Sequence, residues 1–356
     1  MVSPTLINTV LAKAIEVATH SWEYGTVSEA ILEWRNASLS IWDHPFPNNN
    51  IPTLNLDKVP ALTYVKPFIR TDNVTLVDGD GAAGDPASLG IPALLIGKSQ
   101  PSYYSAAIRQ ANHLLTAVPR WSNGAISHRE AYPELWADFI YMVPPFLAYY
   151  GVASNDVGLL KAAANQCKLY RDVLVTNSGL WLHIVGNHTK DLALWSTGNG
   201  WAAAGMSRVL AAMKNSQYSH QTAAEQTLLE DMVKAILNGA IKLDVDESGL
   251  LRNYLDNATW FGEISGTSIL AATAFRMAIL SPGKFGKAYT DWAKKKMDVV
   301  DGKIDKGTGI VAPAINPLNW HDMTPYTSGS PEGQSFVVLL HAAYRDWEEA
   351  KKSKRN

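Results

Sequence analysis

The sequence predicts an all-α fold, an (α/α)6 toroid in which six helix pairs close into a ring, and three observations carry that expectation. Apolar residues recur at helical spacing in about twelve segments. Four connecting segments, 123-NGAISHREAYPE-134, 178-SGLWLHIVGN-187, 248-SGLLRNYLDN-257 and 308-TGIVAPAINP-317, each begin with a small polar residue and a glycine. They recur roughly every 55–70 residues, as one loop per repeating helix pair would. An open helical solenoid is the alternative, but its turns are short and interchangeable. These connections are long, dissimilar and rich in Gly, Trp and His, as loops around a shared cleft would be.

Taken in order, the spacing predicts helices near 5–19, 25–37, 56–68, 87–98, 102–117 and 134–150. It continues with 157–172, 199–213, 221–243, 264–281, 284–299 and 332–349. The helix at 87–98 follows Asp85-Pro86, which suits an N-cap with proline at the first helical position. The helix at 134–150 carries Pro144 and Pro145, expected to break or kink it. The helix at 157–172 holds Cys167, the one cysteine, read as a buried structural thiol. Near 284–299, 294-KKK-296 reads as a solvated face, and the terminal 351-KKSKRN-356 reads as a solvated tail. No linker or charge block divides the chain, so residues 1–356 are expected to form one domain.

Composition narrows the function classes. Hydrophobic residues make up 47% of the 356 and charged residues 18%, so a large core can form. The net charge of −2 and the scattered basic residues argue against nucleic acid and acidic lipid as partners. No apolar run is long enough to span a bilayer. The N-terminal segment lacks a basic region before its apolar stretch, so no signal peptide is expected in this chain. Either a cytoplasmic protein or one secreted after signal removal fits, and the sequons at Asn36, Asn73, Asn187 and Asn257 do not decide it. No metal or cofactor is expected, because no Cys/His zinc spacing, Walker A sequence or Rossmann fingerprint occurs. A Gly-x-Ser-x-Gly elbow is also absent. Twelve tryptophans read equally as core packing or as flat platforms for a sugar or apolar ring.

The residues that could carry chemistry lie in three places. In 134-ELWADFIYMVPPFL-147, Asp138 sits among apolar residues. If the segment is helical from 134, Leu135, Tyr141 and Met142 share its face. Such a carboxylate is either a hydrogen-bonded structural acid or a desolvated general acid/base with a raised pKa. In 77-VDGDGAAGDPASLGIPALL-95, Asp85 reads as an N-cap or as a cleft-facing acid, and no Glu completes a calcium loop from Asp78 and Asp80. In 195-WSTGNGW-201, Trp195 and Trp201 bracket a turn in which Asn199 could cap a helix or bind a hydroxyl. His128, His183 and His188 lie in or near the repeat loops.

These segments resemble glycoside hydrolase family 105, the unsaturated rhamnogalacturonyl hydrolases, and the related family 88, the unsaturated glucuronyl hydrolases. The specific stretches are 136-WADFIYMVPPFLAYYG-151 and 195-WSTGNGW-201, and weaker likeness extends over 22-WEYGTVSEAILEW-34 and 331-PEGQSFVVLLHAAYRDW-347. The resemblance implies a six-hairpin α/α barrel and a substrate with a Δ4,5-unsaturated uronic acid at its non-reducing end. It implies that Asp138 is the general acid/base and Asp85 the second active-site aspartate. It further implies that His128, His183, Trp136, Tyr141, Trp195, Thr197, Asn199 and Trp201 form the substrate site. Apolar neighbours would then keep the proton on Asp138 near neutral pH. One position departs: Thr197 stands where the family commonly has arginine, a natural partner for a substrate carboxylate. Lys190, Arg129 and Arg252 are the nearest basic alternatives. The departure keeps a second reading open, the same fold acting on a saturated or neutral sugar or on a non-sugar ring. A non-catalytic carbohydrate-binding toroid is a third.

Overall fold

The computed structural model describes residues 2–353, so residues 354–356 of the basic tail lie outside the described residues. The helices are α1 (Pro4–Val17), α2 (Ser21–Arg35), α3 (Pro60–Val65), α4 (Gly90–Gly97), α5 (Pro101–Thr116) and α6 (Phe139–Ala153). They continue as α7 (Val157–Leu174), α8 (Ser196–Lys214), α9 (Ala223–Lys242), α10 (Ile264–Leu280), α11 (Lys287–Asp301) and α12 (Pro331–Ser353). Each corresponds to one expected segment. Pro60 and Pro67 explain the shortened α3, because the expected 56–68 helix is divided into 3₁₀, α and 3₁₀ pieces around them.

The even-numbered helices form the inner ring. Neighbours pack α6 on α8, α8 on α10, α10 on α12 and α12 on α2, and a 3₁₀ turn, Asp85–Leu89, leading into α4 fills the place between α2 and α6. The return of α12 to α2 closes the ring, which an open solenoid would not do. The outer helices α1, α3, α5, α7, α9 and α11 pack on α12, α2, α4, α6, α8 and α10 respectively. Sequence separates the two layers. Inner α8 buries every residue from Ser196 to Met213, and its run of Ala and Gly lets neighbours approach closely. A side chain at Gly205 would run into the Ile140 carbonyl of α6. Outer α11 buries only a stripe, Thr290, Trp292, Ala293, Lys296, Met297 and Val300.

The repeat seen in the sequence is a repeat of loop chemistry. Gly124, Gly179, Gly249 and Gly309 all take positive φ, between 74° and 93°. The polar residue before each one, Asn123, Ser178, Ser248 or Thr308, accepts the backbone N–H two residues on. A helix side chain then holds the apolar residue that follows. Asn199, Thr267 and Gln334 accept N–H bonds from Trp181, Leu251 and Val311. All three are the fourth residue of their inner helix.

Two differences from the expected elements matter for the site. The helix expected from 134 begins at Phe139, because Glu134–Trp136 forms a strand, β1, paired antiparallel with β2 (Ile184–Gly186). The second short ladder pairs β3 (Leu251–Arg252) with β4 (Gly262–Glu263). Helix α6 also runs through Pro144 and Pro145 instead of ending there. Pro145 lacks the N–H that would bond the Tyr141 carbonyl, and Arg208 Nη1 approaches that oxygen at 3.4 Å instead.

Candidate active site

The inner helices start at one end of the ring, and their first residues surround a cavity of about 230 Å³. Its wall takes Trp22 from α2, Asp85 from the turn before α4, Asp138 at the start of α6, Trp195 at the start of α8 and Glu332 from α12. The positive ends of these helices point inward and favour a bound anion.

Asp138 is placed by the strand pair. Trp136 registers with Ile184, and Ala137 N–H bonds the His183 carbonyl at 2.9 Å. The Asp138 carboxylate then lies at the N-cap of α6 without capping it. Its Oδ2 is 3.4 Å from His183 Nε2, within ion-pair distance but not aligned for a hydrogen bond. Neither atom has another protein partner, although both are buried. His183 Nδ1 meets Asp191 Oδ2 at 2.9 Å, and the same oxygen accepts from Tyr254 (2.6 Å) and Trp320 Nε1 (3.1 Å). Burial opposes a charge on His183, but contact with Asp138 and Asp191 outweighs it and raises its pKa. Burial also opposes ionisation of Asp191, yet the His183 and Tyr254 hydrogen bonds prevail and bring it down to about 2.

Asp85 opens the 3₁₀ turn, and Gly84 occupies the cap position, so the Asp85 carboxyl is not used as an N-cap. It is buried, 3.8 Å from His128 Nε2. Burial, with Asp138 nearby, pushes Asp85 up to about 8, against the pull of Arg129. His128 locks two loops together: its N–H bonds the Glu134 carbonyl and its own carbonyl accepts from Ala83. Burial takes the imidazole down to about 3, so it is neutral at ordinary pH. Its ring stacks on Trp136 at 4.7 Å. Trp136, Trp195 and Trp320 surround His183 at centroid distances of 5.9, 4.3 and 5.1 Å.

The structure thus gathers Asp85, His128, Trp136, Asp138, His183 and Trp195 on one wall. It does not bring four other expected residues there. Tyr141 turns away to pack at a tilt against Trp201 and lie under Arg208. Trp201 is fully buried between Tyr141 and Phe336, packing the core rather than walling the site. Asn199 is fully buried and spends its amide on Trp181 and Trp195 backbone. Thr197 is fully buried off the wall, its hydroxyl without a partner. The apolar set expected around Asp138 is also changed. Leu135 is on β1 and Tyr141 faces the core, leaving Met142 on the wall.

Residues the sequence reading passed over also shape the cavity, Trp22, Trp320, Glu332 and the buttress Asp191, and Asp80, considered there only as a calcium ligand, lies on the wall too. Glu332 Oε1 accepts Trp22 Nε1 at 2.7 Å, and its buried Oε2 has no protein partner. Burial raises the Glu332 pKa well above the carboxylate range, with Asp138 adding to it. Trp22 and Glu332 lie in segments already singled out for their likeness, which was the available signal. His188 stacks on Tyr132 instead of lining the wall. Among the described residues, no group of three or more His, Cys, Asp or Glu is placed to hold a metal ion.

The fold has known counterparts. A possible member of glycoside hydrolase family 105 from Salmonella enterica serovar Paratyphi A superposes with a TM-score of 0.76 at 16% identity, covering 98% of this chain and 96% of that one. A family 105 glycoside hydrolase from C. acetobutylicum gives 0.76 at 16%, covering 96% and 99%. An unsaturated glucuronyl hydrolase specific for heparin gives 0.67 at 12%, covering 97% and 96%. No curated protein matches the chain by sequence. The sequence profile described as Glycosyl Hydrolase Family 88 matches residues 87–346, nearly three quarters of the chain, and includes Asp138 and four other wall residues expected from sequence, His128, Trp136, His183 and Trp195, but not Asp85. By that match the chain belongs to glycosyl hydrolase family 88 and is a glycosyl hydrolase.

Proposed function

We propose that this protein removes a Δ4,5-unsaturated uronic acid from the non-reducing end of lyase-generated oligosaccharides. The observation that carries the reading is the Asp138 carboxyl, set against His183 in a tryptophan-walled cavity beside a second acid, Asp85, that keeps its proton at neutral pH. An unsaturated uronate is an enol ether, and its hydrolysis needs one proton donor, not two carboxylates at a fixed separation. Asp138 protonates C4, and the cation that forms is shared by C5 and the ring oxygen. Water adds at C5 and gives its proton to Asp138. The C5 hemiketal opens to a ketone by breaking the bond to the ring oxygen. The C1 hemiacetal left behind releases the aglycone alcohol and becomes an aldehyde. His183, fixed by Asp191, holds the Asp138 carboxyl in place, and protonated Asp85 hydrogen-bonds the bound sugar.

The test is incubation with Δ4,5-unsaturated disaccharides while following the enol-ether absorbance. The expected result is loss of the band with the wild-type protein. In Asp138→Asn the rate should fall by about 10²–10⁴-fold with the fold intact. No loss with any uronyl substrate overturns the reading. Turnover of saturated or neutral glycosides instead would favour the second reading, which Thr197 supports.

A further inference from the structure

We propose that Arg129 is the cation that receives the substrate carboxylate, and thereby the residue that makes the cavity choose acidic over neutral sugars. This assignment rests on the reading of the substrate given above. Among the described residues, Arg129 is the one Lys or Arg on the cavity wall. The acids on the wall, Asp80, Asp85, Asp138 and Glu332, offer a uronate no positive charge. Thr197 is uncharged and buried away from the wall. Arg252 is spent on Asp246, Nε to Oδ2 at 3.0 Å, and Lys190 is exposed outside the cavity.

The guanidinium is placed but not used up. Its Nη2 donates to the Asp80 carbonyl at 3.2 Å, and its carbon lies 6.0 Å over the Trp136 ring. Gly81, at φ +78°, makes room for it, since a Cβ there would stand 2.7 Å from Nη2. The buried arginines Arg208 and Arg276 are paired with the carboxylates of Glu29 and Glu33, whereas Arg129 is half-buried at the cavity. Arg129 has no such partner among the described residues, so the rest of its planar fork is available for a two-bond contact with a carboxylate.

The experiment compares the full-length wild-type protein with Arg129→Gln and Arg129→Lys on a Δ4,5-unsaturated disaccharide and on its uronate methyl ester. The ester keeps the enol ether and removes the charge. In Arg129→Gln, kcat/KM on the acid should fall about 10- to 100-fold, mainly through KM, while the ester is little changed. Arg129→Lys should keep part of the preference. Any effect passed through Asp85, which Arg129 also influences, would lower both substrates together, so the acid-to-ester ratio isolates the contact. An unchanged ratio in a folded Arg129→Gln protein that still turns over the acid overturns this assignment alone. A wild-type protein that turns over neither compound overturns the substrate reading and this assignment with it.

Discussion

Asp85 shows how burial sets a single residue's behaviour. An unfolded chain releases this proton near pH 4, whereas the folded protein keeps it to about pH 8. Between those values the folded state holds a proton that the unfolded state has lost, so each rise in pH costs folding stability, and the loss ends above about 8. Asp85→Asn removes the titration. The expected outcome is that the melting temperature of wild type falls relative to Asp85→Asn from pH 4 to pH 8 and then runs parallel to it. Equal slopes over that range would sink the idea. The proton on Asp85 was not legible in the sequence, where Asp85-Pro86 read first as a helix cap. Capping is decided by where the turn begins, and the carboxyl is left over for the cavity because Gly84, not Asp85, takes the cap position. Asp138 was legible as an acid out of place among apolar residues. Its partners were not, because His183 is 45 positions away and reaches it through the pairing of β1 with β2.

At the scale of elements, the segment 195-WSTGNGW-201 divides its labour. Trp195 faces the cavity, while Asn199 and Trp201, within the first turns of α8, face the core. Asn199 does for the loop at Trp181 what Thr267 and Gln334 do for the loops at Leu251 and Val311. Asn199→Ala would leave the buried Trp181 N–H and carbonyl without that partner, at a cost of about 1–3 kcal/mol for each unsatisfied group. A lower denaturation midpoint is therefore expected, with KM for the substrate nearly unchanged in the folded variant. A selective rise in KM at full stability would instead return Asn199 to the substrate. The sequence signalled that this turn was special, but a motif cannot say which of its side chains point into a cleft. That depends on where α6 and α10 pack against α8, which fixes the rotation of the helix.

For the molecule as a whole, closure of the ring makes two environments from one set of helices. At the starts of the inner helices lies the open cavity. About 18 Å farther along the helices, twelve residues at 1.5 Å each, Arg208 and Arg276 meet Glu29 and Glu33 from α2. Burial above all lifts Glu33 to about 7, and Arg276 opposes that rise. Arg276→Met removes the cation that holds the Glu33 pKa down, so about 3–5 kcal/mol of stability should be lost, and more above pH 7, where the variant's Glu33 keeps a proton that the unfolded chain has released. Thermal melts at pH 6 and pH 8 check this, and a variant as stable as wild type at both would refute it. The sequence by itself determined the twelve helical segments and the loop repeat, because spacing and loop residues are local properties, and family likeness singled out the acids Asp85 and Asp138. Only the tertiary structure decided which residues share the cavity. Trp22 and Glu332 are 310 positions apart and meet because α12 returns to α2. Contacts that depend on closing a ring have no local signature, since each partner's sequence is compatible with many neighbours until the last helix packs.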